Sequence, residues 1–136
     1  MIILDTNVIS ALMRNTEKVE QWLNQYHIDN IWTTAINTME VYYGIHLLPE
    51  GRKKETLGEA FTWMLARTFR HHIIEFDVNA AISTAEIAAK QKAKGNNVDF
   101  RDLQIAGIAL DRKARIATRN EKDFRNLGLE VINPWE

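Results

Sequence analysis

The sequence predicts an α/β fold built on a mainly parallel sheet. Short apolar, β-branched runs alternate along the chain with longer stretches of helical spacing, and strands that alternate with helices form parallel sheets. No internal repeat, low-complexity tract or flexible linker interrupts this alternation. Because 136 residues match one ordinary domain, we expect residues 1–136 to form a single domain.

Five runs have the composition of buried strands. They are short, apolar and rich in β-branched residues, and polar or turn-forming residues flank them. In chain order they lie at Ile2–Leu4, Ile31–Thr33, Ile73–Phe76, Ile116–Thr118 and Glu130–Ile132. These five runs are the predicted strands of the sheet.

The stretches between the strands show helical periodicity. Apolar residues recur at steps of three and four, the spacing that gives a helix one face to pack on a sheet. Two such stripes are Ile36, Met39, Tyr43 and Leu47, and Phe61, Leu65 and Phe69. Asp77 is the expected N-cap and Gly95 the expected end of an alanine-rich helix. We expect all of these segments to be scaffold.

The composition limits which metal ligands the chain can offer and how it could bind a membrane or a nucleic acid. The chain has no cysteine, so a metal ion would have oxygen or imidazole ligands. The opening apolar run is too short for a signal peptide or a membrane span, and we expect a cytoplasmic protein with no membrane partner. A net charge of −1 means that a nucleic acid would bind to local basic clusters. Those clusters are Arg52-Lys53-Lys54, Arg112-Lys113 with Arg115, and Arg119 with Lys122 and Arg125.

Asp5 directly follows the first predicted strand, which places its carboxylate at the carboxyl edge of the sheet. Reactive side chains of open parallel sheets lie at that edge, most often where the strand order reverses. The Asp5-Thr6-Asn7 turn is also good helix-capping chemistry. Asp5 alone therefore fits a helix cap as well as a metal ligand.

Glu40 and Asp102 border the apolar faces of two predicted helices. Asp102 lies in line with the apolar residues Ile105 and Ala106, and Asp99 is better placed as the N-cap of that helix. A carboxylate beside a buried face is unfavourable unless it is paired, protonated or bound to a cation. A Glu at the margin of such a face is also common without any function, so each acid needs partners to be informative.

Four acids are predicted at the same sheet edge. They are Asp5, Glu40, Asp102 and Asp123. Asn120 as an N-cap and Asp123 in the first helical turn have a structural explanation of their own. Clustered carboxylates, however, repel one another unless a hard cation such as Mg²⁺ or Mn²⁺ neutralises them. Such a site is suited to the hydrolysis of phosphodiester bonds.

Four segments resemble motifs of the PIN-domain family. They are Ile2-Ile3-Leu4-Asp5-Thr6-Asn7-Val8-Ile9-Ser10, Met39-Glu40, Asp102-Leu103-Gln104-Ile105-Ala106 and Ala117-Thr118-Arg119-Asn120. The closing Asn133-Pro134-Trp135-Glu136 is similar to the VapC and FitB branch, the toxins of bacterial toxin–antitoxin pairs. By the order and spacing of these segments over nearly all 136 residues, the chain is identified as a member of this family.

The resemblance implies a fold, an activity and partners. The fold would be a three-layer α/β/α sandwich, and the activity would be that of a Mg²⁺- or Mn²⁺-dependent endoribonuclease. The implied partners are an RNA substrate, with transfer RNA as a candidate, a cognate antitoxin and a second copy of the chain in a homodimer. An antitoxin tail would block the site by placing an arginine among the acids.

The resemblance also assigns roles to the acids. Asp5 and Asp102 are the expected metal ligands. Glu40 and Asp123 are expected to bind the metal through water or to orient the nucleophile. Thr6 is expected to support the cluster through hydrogen bonds.

Asn120 departs from the family pattern. Relatives often carry an aspartate at this position, and others use an acid three residues later, which is Asp123 here. An asparagine binds metal only through its carbonyl oxygen and brings no negative charge. The expected fourth acid is therefore Asp123, with Asn120 as its polar neighbour and Arg119 as a contact to the RNA backbone.

Two other classes of protein share parts of this pattern. A catalytically inactive PIN-type module would bind RNA or protein without cutting, but the complete set of Asp5, Glu40 and Asp102 argues against it. A haloacid-type phosphotransferase needs a second aspartate where this chain has Asn7. A receiver domain needs paired acids at the first strand, which this chain lacks.

Overall fold

A five-stranded sheet with all strands parallel forms the centre of the structure, a computed structural model that describes residues 1–136. The strands are β1 (Ile2–Leu4), β2 (Ile31–Thr34), β3 (Ile73–Ile74), β4 (Arg115–Ala117) and β5 (Val131–Ile132). Their order across the sheet is β3-β2-β1-β4-β5. All five predicted strands are confirmed, with ends that differ by at most two residues.

Seven α-helices cover the two faces of the sheet. They are α1 (Thr6–Met13), α2 (Glu17–Leu23), α3 (Ala35–His46), α4 (Arg52–Arg67), α5 (Val78–Ala93), α6 (Phe100–Arg112) and α7 (Glu121–Asn126). None of them is long and apolar enough to cross a membrane. Ile2 and Leu4 pack against α1 to α4 together with Phe61 and Phe69, whereas Ile3 packs on the opposite face, chiefly against α5 to α7. The predicted three-layer α/β/α sandwich is confirmed.

The predicted ends of two helices are confirmed. The Asp77 carboxylate accepts a hydrogen bond from the Ala80 backbone N–H at 2.9 Å and caps α5. Helix α5 ends just before Gly95, whose φ of 75° is the left-handed conformation that favours glycine. Asp99 caps α6 by accepting from the backbone N–H of Arg101 at 2.8 Å. Asp102 is therefore not needed as the cap.

Helix α3 buries a different face from the one predicted. Met39, Tyr43 and Leu47 are 50%, 58% and 66% exposed, whereas Val41 and Ile45 lie in the core. The buried face contacts α1, α4 and α6. The prediction was wrong because both faces of this helix carry apolar residues at helical spacing, so periodicity alone does not say which face packs.

Helices α5 and α6 pack most closely around Gly107. A Cβ at this position would overlap the Thr84 hydroxyl and would lie 2.9 Å from the carbonyl oxygen of Ala80. That carbonyl already accepts a hydrogen bond from the Thr84 hydroxyl at 2.8 Å. The close approach fixes α6, and with it Asp102 in the first turn, against the rest of the domain.

Candidate active site

The carboxyl ends of β1 and β4 meet where the strand order reverses. Strand β2 lies on one side of β1 and β4 on the other, and the backbone N–H of Asp5 donates to the Ala117 carbonyl at 2.9 Å. Open parallel sheets form their binding crevice at such a point. Asp5 and Thr118, which directly follow the two strands, therefore lie side by side in it.

Asp5 is 5% exposed, and both of its carboxylate oxygens accept hydrogen bonds. Oδ1 accepts from the Thr6 backbone N–H at 2.8 Å and from Asn37 Nδ2 at 3.1 Å. Oδ2 accepts from the Thr118 hydroxyl at 2.7 Å. Burial raises the pKa of Asp5, and these hydrogen bonds, led by the one from Thr118, oppose the rise. Because the bond to Thr6 also caps α1, the cap and the site share one carboxylate.

Asn37 is a fully buried side chain at the centre of this network. Its Nδ2 donates to Asp5 and to the Thr6 hydroxyl, each at 3.1 Å, and its Oδ1 accepts from the Thr34 hydroxyl at 2.7 Å. A buried network in which every group is satisfied fixes the orientation of its members. Sequence reasoning missed Asn37 as a site residue, and its one signal was its position three residues before Glu40, on the same helix face.

Thr6 connects Glu40 to the same network. The Thr6 hydroxyl donates to Glu40 Oε1 at 2.9 Å, and Arg101 Nη1 lies 3.8 Å from Glu40 Oε2. Burial is the main reason that the pKa of Glu40 is raised, and the negative charge of Asp5 adds to it. The hydrogen bond from Thr6 and the charge of Arg101 oppose the rise. Thr6 therefore bonds to both Glu40 and Asn37, and its supporting role in the site stays a prediction.

Asp102 faces the other acids from the first turn of α6. Burial is the main cause that raises the pKa of Asp102 to about 6. The other contributions come from the negative charges of Asp5, Asp99, Glu40 and Asp123. Its carboxylate accepts no hydrogen bond, and the positive charge of Arg101 offsets these effects only in part. A carboxylate placed in this way is stable when it is protonated or when a cation lies beside it.

Asp123 and Asn120 lie at the rim of the crevice, and both side chains are exposed. Asn120 occupies the N-cap position of α7, but its side chain makes no capping hydrogen bond. Asp123 is close enough to contribute to the raised pKa of Asp102, although the other three acids contribute more. The guanidinium of Arg119 lies 3.9 Å from the ring centroid of Trp135. These residues surround the cluster of Asp5, Glu40 and Asp102 without entering it.

Asn7 and Thr118 join the two strand ends, and neither was predicted as a site residue. Asn7 Nδ2 donates to the Thr118 hydroxyl at 3.1 Å, and Asn7 Oδ1 accepts from the Arg119 backbone N–H at 3.1 Å. The Thr118 hydroxyl also accepts from the Asn120 backbone N–H at 3.0 Å. Their signal in the sequence was their place in the two motifs at the ends of β1 and β4.

The chemistry of the donor set fits a hydrated hard cation. The crevice offers carboxylate, hydroxyl and amide oxygens, the ligands that Mg²⁺ and Mn²⁺ prefer. No three acidic or histidine side chains converge closely enough to bind a bare ion. An ion held here would keep water ligands between itself and part of the cluster, as Mg²⁺ usually does. Asp5 and Asp102 are the residues best placed to hold it, because hydrogen bonds orient the first carboxylate and the second accepts no hydrogen bond from the chain.

One protein family matches nearly the whole length of the chain. The PIN domain matches residues 2–129. The chain belongs to the PIN-domain family. This confirms the resemblance seen in the four sequence motifs, and it agrees with the PIN-type arrangement of a parallel sheet between two helical layers.

Three relatives of this PIN domain match it from end to end. The plasmid stability protein StbB of Pseudomonas syringae pv. tomato is 36% identical, over 100% of this chain and 99% of the relative. The toxin FitB of Neisseria gonorrhoeae is 34% identical, over 99% of each chain. The VapC ribonuclease Y4jK of Sinorhizobium fredii is 30% identical, over 100% of this chain and 99% of the relative. The PIN domain is thus homologous to proteins named as toxins and ribonucleases.

Two solved structures have the same fold as this PIN domain. The structure of FitAcB from Neisseria gonorrhoeae superimposes with a TM-score of 0.90 at 33% identity, covering 100% of this chain and 99% of the other. The structure of FitAB bound to an IR36 DNA fragment gives a TM-score of 0.90 at 33% identity, covering 100% of this chain and 96% of the other. Both similarities extend over the whole domain, so the fold is shared in full.

Proposed function

We propose that this PIN domain is a Mg²⁺- or Mn²⁺-dependent endoribonuclease that acts as the toxin of a toxin–antitoxin pair. The observation that carries the proposal is the cluster of Asp5, Glu40 and Asp102 at the point where strand order reverses, with the pKa of all three acids raised. Carboxylates gathered in this way fit a site that a divalent cation completes. The names of two relatives, VapC ribonuclease and toxin FitB, support the same activity.

Each residue of the cluster has a role in this proposal. A divalent cation supplies charge stabilisation at the phosphoryl group and makes water easier to ionise. Asp5 would hold the cation in one place because three neighbouring groups fix its carboxylate, and Asp102 would complete the charge. Glu40 Oε1 accepts a hydrogen bond from the Thr6 hydroxyl. The other carboxylate oxygen, Oε2, is left to accept the proton of the attacking water. Asp123 and Asn120, at the rim, would contact the RNA or water bound to the cation.

The proposal includes an antitoxin as the inhibitor. A guanidinium from a partner chain would replace the cation among Asp5, Glu40 and Asp102 by charge-assisted hydrogen bonds. The chain's own Arg101 supports this, because its guanidinium already lies 3.8 Å from Glu40. The homologous FitAB structure contains a DNA fragment, and we extend to this chain the prediction that the toxin–antitoxin complex binds DNA. Homodimerisation and transfer RNA as the substrate stay predictions.

Cleavage of a labelled RNA mixture tests the proposal. Purified protein, free of any partner, is incubated with Mg²⁺, Mn²⁺ or a chelator, alongside the Asp5→Asn and Asp102→Asn variants. We expect cleavage with either metal and none with the chelator, and a loss of about 100-fold or more in each variant because a charge that stabilises the transition state is removed. Asp111→Asn is the matched control, because it neutralises an acid at the other end of α6 and should cut at the native rate.

Three results would contradict the proposal in different ways. Native protein that binds RNA but cuts none of several RNA classes, with either metal, is an inactive binding module. Native protein that shows no Mn²⁺ binding by electron paramagnetic resonance does not use its acids as a metal site. Equal losses in Asp111→Asn and Asp102→Asn would show that the loss does not arise from the cluster.

A further inference from the structure

Arg119 directly follows Thr118 at the edge of the acid cluster, and its side chain has no anionic partner in the chain. None of the ion pairs in the structure involves it. Its backbone N–H donates to Asn7 Oδ1 at 3.1 Å, and the preceding Thr118 bonds directly to Asp5. The backbone of Arg119 is thus fixed relative to the cluster, while the N–H groups of its guanidinium are not used by any other residue.

The Trp135 ring holds the guanidinium of Arg119. The guanidinium carbon lies 3.9 Å from the ring centroid, within the range of a cation–π interaction. The ring is itself fixed, because it packs against the core and its backbone N–H donates to Asn133 Oδ1 at 2.9 Å. Asn133 in turn donates to Glu121 at 2.9 Å. The last residues of the chain therefore form a rigid support under one arginine.

The surface around Arg119 is polar and positively charged. An open cavity of about 490 Å³ is lined by Arg119, Asn120, Glu121, Lys122, Arg125 and Asn126, with no apolar residue. Arg125 is paired with Glu121 at 2.8 Å, which leaves Arg119 and Lys122 as the cations without an acidic partner. Such a surface attracts a polyanion even though the chain as a whole has a net charge of −1.

We propose that Arg119, held by Trp135, binds a phosphate of the RNA backbone next to the bond that is cut. The inference rests on the proposed ribonuclease function. The acids of the cluster repel RNA, so a cation with a fixed position beside them is needed to hold the strand in register. The guanidinium is planar and suited to bidentate binding of a phosphate, and its contact with the indole fixes the orientation of that plane. Trp135 is a positioning residue that acts through Arg119.

The test is the affinity of the full chain for a labelled oligouridylate, measured by fluorescence anisotropy in chelator over about 50 to 200 mM salt. Arg119→Ala should weaken binding about tenfold and reduce the salt dependence by about one counterion. Trp135→Ala should weaken binding about fivefold because the guanidinium loses its fixed orientation. Trp135→Phe, which keeps an aromatic face, should bind within about twofold of the native protein.

The double variant separates positioning from a general effect on the fold. Trp135→Ala should have no further effect in the Arg119→Ala background, since both changes remove the same contact. Trp63→Ala, which removes an exposed tryptophan of α4, is the matched control and should leave the affinity unchanged. Arg125→Ala should matter less than Arg119→Ala, because Glu121 already neutralises Arg125.

Two results would overturn the inference. One is that Trp135→Ala weakens binding equally in the native protein and in the Arg119→Ala variant. Trp135 would then support the fold in general and would not act through Arg119. The other is native affinity in both single variants. If instead the binding results are as expected but native protein cuts no RNA with either metal, the phosphate site stands and the proposed ribonuclease function fails. If native protein cuts RNA while both variants bind normally, the phosphate site fails alone.

Discussion

The two aspartates at the centre of the crevice are held in opposite ways. Asp5 accepts hydrogen bonds on both oxygens, and those bonds oppose the rise in pKa that its burial causes. Asp102 accepts none, and apart from its burial it experiences the negative charges of other acids. Burial raises the pKa of both groups, but only for Asp5 does the chain provide compensating hydrogen bonds.

The difference shows which of the two carboxylates the fold itself stabilises with hydrogen bonds. On the side of β1, α1 and α3, hydroxyl and amide donors satisfy the buried carboxylate and fix its orientation. On the side of α6, the carboxylate accepts no hydrogen bond, and the charge of Arg101 only partly offsets its burial and the repulsion by other acids. Local conflicts of this kind are typical of functional sites. A cation bound between the two sides would use the rigidity of Asp5 and relieve the repulsion at Asp102.

Alanine substitution of each aspartate in turn should give the largest difference in stability between the two sides of the crevice. In chelator at neutral pH, Asp5→Ala should lower the free energy of unfolding by about 3 kcal/mol, because buried donors of Asn37 and Thr118 lose their acceptor and α1 loses its cap. Asp102→Ala should leave the free energy of unfolding unchanged or raise it, since it removes a charge that the fold opposes. Urea unfolding measures both.

A conservative variant checks the reason for this difference. Asp5→Asn keeps one acceptor oxygen, so its loss of stability should lie between those of the native protein and Asp5→Ala. Equal destabilisation by Asp5→Ala and Asp102→Ala would contradict the comparison, because it would mean that the fold depends on both carboxylates in the same way.

The two aspartates could be located from the sequence because each follows a simple local pattern. Asp5 ends an apolar strand, and Asp102 precedes the fully buried Ile105 and Ala106 in helical register. A strand end and a helix face are properties of short segments, and the order of parallel strands brings their carboxyl ends together. The same reasoning predicted the sheet, its five strands and the helix caps at Asp77 and Asp99.

The residues that donate hydrogen bonds to Asp5 could not be located from the sequence in this way, because those contacts join distant segments of the chain. Asn37 is one of several polar residues on α3, and only the position of that helix beside β1 makes it a donor to Asp5. The wrong face predicted for α3 has the same cause. Met39 and Val41 belong to two different apolar stripes of the same helix. The neighbouring helices decide which of the two stripes is buried.

Removing a single donor should have a smaller effect than removing Asp5. Thr118→Val keeps the size of the side chain but deletes the hydroxyl that donates to Asp5 at 2.7 Å. We expect the free energy of unfolding to fall by about 1 to 2 kcal/mol. The pKa of Asp5 should rise further, because the hydrogen bond from Thr118 is the largest effect that lowers it. Urea unfolding and carboxyl NMR titration measure the two changes.

Thr62→Val is the matched control for this substitution. The Thr62 hydroxyl donates to the Gly58 carbonyl at 2.9 Å on the exposed side of α4, so its loss should leave stability and the titration of Asp5 nearly unchanged. A similar loss in the two variants would show that valine is poorly tolerated in general. The hydrogen bond to Asp5 would then not be the cause.

The smallest expected effect is the pH dependence that Asp102 gives to the metal-free protein. Its folded-state pKa of about 6 lies above the ordinary 3.8, so the proton binds more tightly in the folded state. The resulting stabilisation is present below pH 3.8 and is lost as the pH rises through about 6. Because Asp102 is only half-buried, we expect about 1 kcal/mol after allowance for solvent screening.

The difference between native protein and Asp102→Asn isolates this contribution from those of Asp5 and Glu40. In chelator, unfolding measured between about pH 4 and 7 should show native protein losing stability relative to the variant as the pH rises. Mg²⁺ should stabilise native protein more at pH 7 than at pH 5, since the cation binds the ionised carboxylate, and it should stabilise Asp102→Asn little at either pH. A pH-independent difference would mean that the Asp102 carboxylate is not destabilised in the fold. The asymmetry between the two aspartates would then be one of hydrogen bonding alone, and a cation would gain nothing extra on the side of α6.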